Sequence, residues 1–163
     1  MRHLWAPWRI GYIKGEKTPG CILCDKPREK KDRANLILAR GKHAFVMMNL
    51  YPYNNGHLMV SPYQHVSSLE ELSDAATADL IRLMKRALSV LRKTHKPDGF
   101  NVGLNLGKAA GAGIEEHLHF HIVPRWSGDT NFMTVNAEVR VLPESLAESY
   151  RQLKPYFSRA QRR

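Results

Sequence analysis

The sequence predicts an α+β domain built on an antiparallel sheet with two helices, and three observations carry that expectation. An amphipathic helical pattern runs from Ser73 to His95. Short apolar runs bounded by turn residues flank it on both sides. A second helical pattern closes the chain after Pro143. A chain of 163 residues is the size of one ordinary domain, so one unit is expected over 1–163, with an N-terminal C-x-x-C arm and a basic C-terminal tail.

In chain order, HAFVMMNL (43–50) and GHLMVSP (56–62) are apolar runs separated by YPYNN, whose Pro and Asn residues favour a turn, so they read as a strand pair. The helix that follows places Leu80, Met84, Ala87, Leu88 and Leu91 at spacings of three and four. Ser73 is suited to cap it, Asp74 and Asp79 lie toward its positive end, Arg92, Lys93 and His95 toward its negative end, and Pro97 stops it. FNVGLNLG (100–107), the glycine-rich KAAGAG (108–113) and HLHFHIVPR (117–125) read as strand, loop, strand, closed by a turn at SGD. PESLAESYRQLKPYF starts with Pro143 and carries Leu146, Tyr150 and Leu153 on one helical face.

Composition narrows the class. The chain is 43% hydrophobic and 25% charged, with no apolar run near the roughly 20 residues of a membrane-spanning helix. MRHLWAPWRIGYIK breaks its apolar positions with Pro7 and Arg9, unlike a secretory signal, so a cytoplasmic protein is expected. Twenty-five Lys and Arg against 15 Asp and Glu give a formal charge of +10, which favours polyanionic partners such as nucleotides or RNA. Part of that charge lies in PREKKDR (27–33) and SRAQRR (158–163), which read as a solvated loop and tail.

The strongest chemical signal is His117, His119 and His121 alternating with Leu118, Phe120 and Ile122. On a strand, alternate side chains share a face, so the three imidazoles are expected on one face with an apolar reverse. One ion held by all three is excluded, because positions four apart on a strand are separated by about 13 Å while zinc binds nitrogen at about 2.0 Å. Acid, base or nucleophilic catalysis remains, for which imidazole suits neutral pH.

Cys21 and Cys24 are too few for a disulfide framework, and their spacing reads as redox or metal chemistry. With Ile22 and Leu23 between them and Pro27 close behind, no helix is expected there to activate a redox thiol. Zinc is the favoured reading, with two further ligands required, and a pair of buried free cysteines is the plain alternative.

HLHFHIV, NNGHLMVSP (54–62), the glycine loop and the N-terminal LWAPWR with CILC together resemble the histidine-triad family, in a branch containing diadenosine tetraphosphate phosphorylases and akin to the fragile histidine triad hydrolases. The resemblance implies that His119 attacks the α-phosphorus of a nucleoside polyphosphate to form a nucleotidyl-histidine, that His121 stabilises a phosphate oxygen, and that His57 orients the nucleophile. It implies substrate contacts from Phe45 near the base, Asn49 at the ribose, Asn105 at the phosphate, and the loop amides of Ala112 and Gly113. It also supplies His65 and His117 as partners of Cys21 and Cys24 in a structural zinc site, and a homodimer formed across the sheet edge.

Many relatives carry Gln where Gly113 stands. That gap and Lys108 together suggest room and charge for inorganic phosphate as the second substrate, hence phosphorolysis of diadenosine tetraphosphate. A hydrolase of diadenosine polyphosphates or nucleoside phosphoramidates is the alternative. From another class, a nucleic-acid-binding module could use the charge with Trp5 and Trp8 as stacking residues, but it leaves the histidine ladder without a role, so nucleic acid is a disfavoured partner.

Overall fold

The computed structural model describes residues 20–129 and 144–159; the LWAPWR segment with Trp5 and Trp8, Pro143 and the end of the basic tail lie outside the described residues. Its elements are α1 (Ile22–Arg28), β1 (Ile37–Arg40), β2 (Ala44–Met48), β3 (Leu58–Pro62), α2 (Asp74–Thr94), β4 (Gly99–Leu104), β5 (Phe120–Arg125) and α3 (Leu146–Arg159). Single 3-10 turns occupy Leu69–Glu71 and Lys108–Ala110. The strands form one antiparallel sheet in the order β1-β2-β3-β5-β4, so the antiparallel α+β architecture expected from the sequence is the one observed.

Alternation along the central strands gives the sheet two buried faces. Val46, Met48, Leu58 and Val60 point into the larger core, against Leu80, Leu83, Ala87 and Leu91 of α2 and Leu153 and Phe157 of α3. Phe45, Met47 and Met59 point the other way and join Leu23 and Ile37 in a smaller cluster. Helices therefore cover the first face, while on the second the short α1 covers part and leaves room for a site.

α2 follows its local signals. The Ser73 hydroxyl accepts the Ala76 amide at 3.3 Å, and the His95 amide closes the last turn on the Leu91 carbonyl at 2.9 Å. Asp79 does more than complement the helix dipole. Its carboxylate accepts the backbone amides of His43 (2.7 Å) and Ala44 (3.2 Å), which ties α2 to the start of β2 and holds the carboxyl below its usual range.

Three features differ from the sequence expectation. There are three α-helices among the described residues, not two, because CILCDKPR forms α1 despite Pro27. Its hold is tertiary: Leu23 is fully buried, Pro27 is buried, and the Pro27 carbonyl accepts the Arg40 guanidinium at 2.9 Å. Tertiary burial here outweighs a proline that removes one helical hydrogen bond. The second difference is β1, an unpredicted edge strand with a bulge between Ile37 and Ala39, clamped by the Tyr150 hydroxyl on the Ile37 carbonyl (3.2 Å) and the Lys154 ammonium on the Leu38 carbonyl (3.0 Å). The third concerns the ladder, whose sheet pairing starts only at Phe120, opposite Val60 and Leu104, so that His117 and His119 lie ahead of β5. That approach is held by the Leu118 amide on the Val66 carbonyl (2.7 Å) and the Ser61 hydroxyl on the Leu118 carbonyl (2.9 Å).

Candidate active site and metal centre

On the second face a cavity of about 360 Å³ opens beside the histidines, within the range that holds a small organic ligand. His119, His121, Asn49 and Gly113 line its polar side, and Met47 and Met59 contribute apolar lining.

The histidines are joined by hydrogen bonds that determine where each proton sits. A backbone amide can only donate, so the Tyr53 N–H at 3.1 Å makes His57 Nδ1 an acceptor and places the His57 proton on Nε2. That Nε2–H donates to His121 Nδ1 at 2.9 Å, so neutral His121 carries its own proton on Nε2. Both rings are neutral at physiological pH. Burial, reinforced by the charges of His121 and His119, lowers the His57 pKa to about 3, and burial with the charge of His119 lowers that of His121 to about 4. For His119 the partner is a carbonyl, which can only accept: Nδ1 donates to the His117 oxygen at 2.8 Å, leaving the lone pair on Nε2. The His119 and His121 rings meet edge to face at 4.9 Å. A nucleophilic nitrogen therefore sits beside an N–H donor, the pair that attack on a phosphoryl group requires.

The turn carrying His57 is built for that register. Gly56 has φ +70°, and a Cβ there would come within 3.1 Å of His95 and Leu91 of the first core. Asn54, nearly fully buried, donates from Nδ2 to the Pro124 carbonyl at 3.0 Å and to Asp129 at 2.9 Å, fastening the His57 turn to the strand of His121.

His117 belongs to a different centre. Its Nδ1 lies 3.2 Å from Cys21 Sγ, 3.4 Å from Cys24 Sγ and 3.2 Å from His65 Nδ1, and Cys24 Sγ is 3.4 Å from His65 Nδ1. All four ligand atoms fall within 4.8 Å of one another. Bonds of about 2.0 Å to nitrogen and 2.3 Å to sulfur in a tetrahedron imply separations of about 3.3 Å between nitrogens and about 3.5 Å between nitrogen and sulfur. The donor set fits a tetrahedral ion. His117 Nε2–H also donates to the Pro62 carbonyl at 3.0 Å, which presents Nδ1 to the centre, the second contact that orients a ligating histidine. A helix does begin beside Cys21, where none was expected, and it is the convergence of both thiols with His65 and His117 that favours a metal over redox chemistry here.

The remaining residues named from the sequence are distributed unevenly. Asn49 and Gly113 line the cavity; the Asn49 side chain accepts the Tyr51 amide at 2.9 Å and approaches His57 Nδ1 at 3.4 Å. Phe45 is fully buried, stacked on Tyr63 with ring centres 5.3 Å apart, in the cluster of Met47 and Met59. Asn105, Lys108 and Ala112 belong to the neighbouring loop and not to the lining; Asn105 donates to the carbonyl of Gly111, which does line it, at 3.4 Å. Sequence reasoning gave no role to Tyr53, whose ring stacks on His57 at 4.9 Å, or to Asn54; both lie in the YPYNN turn, and Asn54 entered only as the first residue of the NNGHLMVSP resemblance. It also missed Ile22 and Lys26 of α1, which reach the cavity.

Comparison with known proteins agrees with this geometry. Across 98% of its length the chain is 40% identical to the AP-4-A phosphorylase of Mycobacterium tuberculosis strain H37Rv, 86% of which is covered. Over 64% of its length it is 32% identical to the adenosine 5'-monophosphoramidase hnt1 of Schizosaccharomyces pombe, 74% of which is covered. A zinc-bound histidine triad family protein from Mycobacterium smegmatis superposes with a TM-score of 0.63 at 26% identity, over 77% of this chain and 86% of that one. The HIT domain model matches residues 30–128, a span holding the sheet, α2 and the hydrogen-bonded histidines, and the chain belongs to the HIT domain family.

Proposed function

We propose that this chain is a nucleotidyltransferase that cleaves dinucleoside polyphosphates through a nucleotidyl-histidine at His119 and passes the nucleotidyl group to inorganic phosphate. The observation that carries it is the pair of fixed protons: His119 holds its proton against the His117 carbonyl and offers Nε2, while the His57–His121 bond turns an N–H outward beside it. In the first step the Nε2 lone pair attacks the α-phosphorus, a P–N bond forms, and the bond to the bridging oxygen breaks, its electrons leaving with the remaining polyphosphate. His121 Nε2–H donates to a phosphate oxygen as charge shifts onto it. In the second step an oxygen of inorganic phosphate displaces Nε2, so that diadenosine tetraphosphate gives ATP and then ADP. Asn49 and Gly113 hold the nucleotide, and Lys108 with the loop amides attracts the incoming anion.

Zinc at Cys21, Cys24, His65 and His117 supplies a structural crosslink, and no step passes through it. The reading includes a homodimer across the sheet edge, where β4 ends the sheet and Val102 stays 42% exposed. Phosphorolysis is favoured by the similarity to an AP-4-A phosphorylase along nearly the whole chain; the similarity to a phosphoramidase supports hydrolysis as the second reading. No described helix is long and apolar enough to cross a membrane.

The test is product chromatography with and without millimolar phosphate, beside mass spectrometry of rapidly quenched enzyme. ADP with ATP, and an adenylyl adduct on His119, are expected. AMP with ATP as sole products would reject phosphorolysis, and absence of any adduct at early times would reject the nucleophile.

A further inference from the structure

The function above uses the backbone of Tyr53 and leaves its side chain without a task. The amide donates to His57 Nδ1 at 3.1 Å, and the ring lies on the same imidazole, with centres 4.9 Å apart and planes 25° from parallel. The ring also approaches His121, at 6.0 Å and a tilt of 41°. One aromatic ring therefore reaches both ends of the hydrogen bond from His57 Nε2 to His121 Nδ1. Tyr53 is 41% exposed and lines the cavity, whereas His57 is 1% exposed, so the ring stands between that bond and solvent.

We propose that the Tyr53 side chain is a positioning residue for nucleotidyl transfer: it lies over the His57–His121 hydrogen bond, keeps water from it, and so holds the outer N–H of His121 toward the phosphate. The inference rests on the nucleotidyl reading above and adds to it the residue that keeps the donor in place. Tyr53 acts on the reaction through the two imidazoles.

The argument turns on competition. His121 presents Nε2–H only while its Nδ1 accepts a proton from His57; a water donating to that Nδ1, or accepting from His57 Nε2–H, takes the place of one partner and frees the His121 ring to turn. Accepting at Nδ1 also polarises the ring and strengthens the opposite N–H as a donor, an effect that is larger away from water. Backbone contacts do not hold His57 by themselves. The Tyr53 amide and Asn49 Nδ2, at 3.4 Å, both act at Nδ1, which fixes the tautomer but leaves the ring able to swing about that atom. A flat side chain stacked on the imidazole face removes this freedom. The charges acting on His57 are those of His121 and His119, and on His121 that of His119, while burial is the larger cause of the lowered pKa in both. On the cavity side, the Tyr53 ring supplies that burial.

The experiment compares the zinc-loaded parent with Tyr53→Phe, Tyr53→Leu and Tyr53→Ala by two readouts. One is ring-nitrogen NMR of the histidines; the other is the rate of adenylyl adduct formation in rapidly quenched enzyme at saturating diadenosine tetraphosphate, where differences in binding drop out. Tyr53→Phe keeps the ring and should match the parent within about twofold in rate, with the same ring spectra. Tyr53→Ala should slow adduct formation about ten- to a hundredfold, mix the tautomers of His57 and His121, and raise the His57 pKa from about 3 toward its ordinary value. Tyr53→Leu fills the turn without presenting a flat face, so it should lose rate in the same direction and keeps the test open if the alanine variant fails to fold. Adduct formation within about twofold of the parent in Tyr53→Leu or Tyr53→Ala would overturn the proposal. So would a slowed variant whose ring spectra match those of the parent, since the side chain would then act on the substrate directly. A parent that forms no adduct, while Tyr53→Ala changes the ring spectra as described, would instead overturn the nucleotidyl reading, so the two failures are told apart.

Discussion

Acidification from pH 7 to pH 5.5 should cost the parent protein more stability than a His57→Asn, His121→Asn double variant. Both histidines are held neutral, with pKa values of about 3 and about 4 against the ordinary 6.5. Because the folded values are depressed, the unfolded chain takes up protons that the folded one refuses. The stability is therefore whole above pH 6.5 and is lost as pH falls from there toward 4 and then 3. An ordinary histidine is about 25% protonated at pH 7 and about 90% at pH 5.5; integrated over that window, each site costs about 1 kcal/mol and the pair roughly 2 kcal/mol. The assay is urea unfolding at the two pH values with saturating zinc. Acid also weakens the cysteine and histidine ligands, but that loss is common to both proteins and cancels in the difference. Ring nitrogen NMR gives a direct check, since His57 and His121 should remain neutral at pH 5.5. Equal losses in parent and double variant, or a charged His57 at that pH, would refute the hydrogen-bonded relay.

His119→Ala should lower turnover by about a thousandfold or more while AMP binding measured by calorimetry survives, because only the covalent step is removed. Cys24→Ser should bring zinc below one per chain by metal analysis and lower the melting temperature more than it lowers kcat at saturating substrate, since on the proposed reading the ion would crosslink the fold and take no part in the chemistry. Asn54→Ala should cost about 1–3 kcal/mol in urea unfolding, because it strips a buried donor from the Pro124 carbonyl and Asp129, and should lower kcat through the loosened His57 turn.

Legibility in the sequence followed the range of the forces. α2 was readable because everything that begins, faces and ends it is local: Ser73, the three-and-four spacing, His95 and Pro97. β2 and β3 were readable because a turn separates two apolar runs that pair in register, Val46 opposite Val60. α1 and β1 were not, since both depend on distant partners. Pro27 argues locally against a helix and is overruled by burial of Leu23, and β1 is a four-residue strand held by Tyr150 and Lys154 from the far end of the chain.

The same distinction explains the site. Alternation in HLHFHIV pointed to a catalytic ladder, yet it could not say that the first histidine turns to Cys21, Cys24 and His65 while the second meets the third. That division depends on where β5 joins the sheet. Pairing begins at Phe120, after His119, so the preceding stretch is free to run beside Val66 and carry the His117 ring to the cysteines. His117 thereby holds a place in both centres, with its ring in the cluster able to hold a metal and its carbonyl accepting the His119 Nδ1 proton. A polar replacement at His117 that kept the backbone would spare the carbonyl acceptor and still remove a ligand. Loss of function in such a variant would come through the position of residue 117 itself, because the hydrogen bond to His119 is made by a main-chain atom that no substitution deletes.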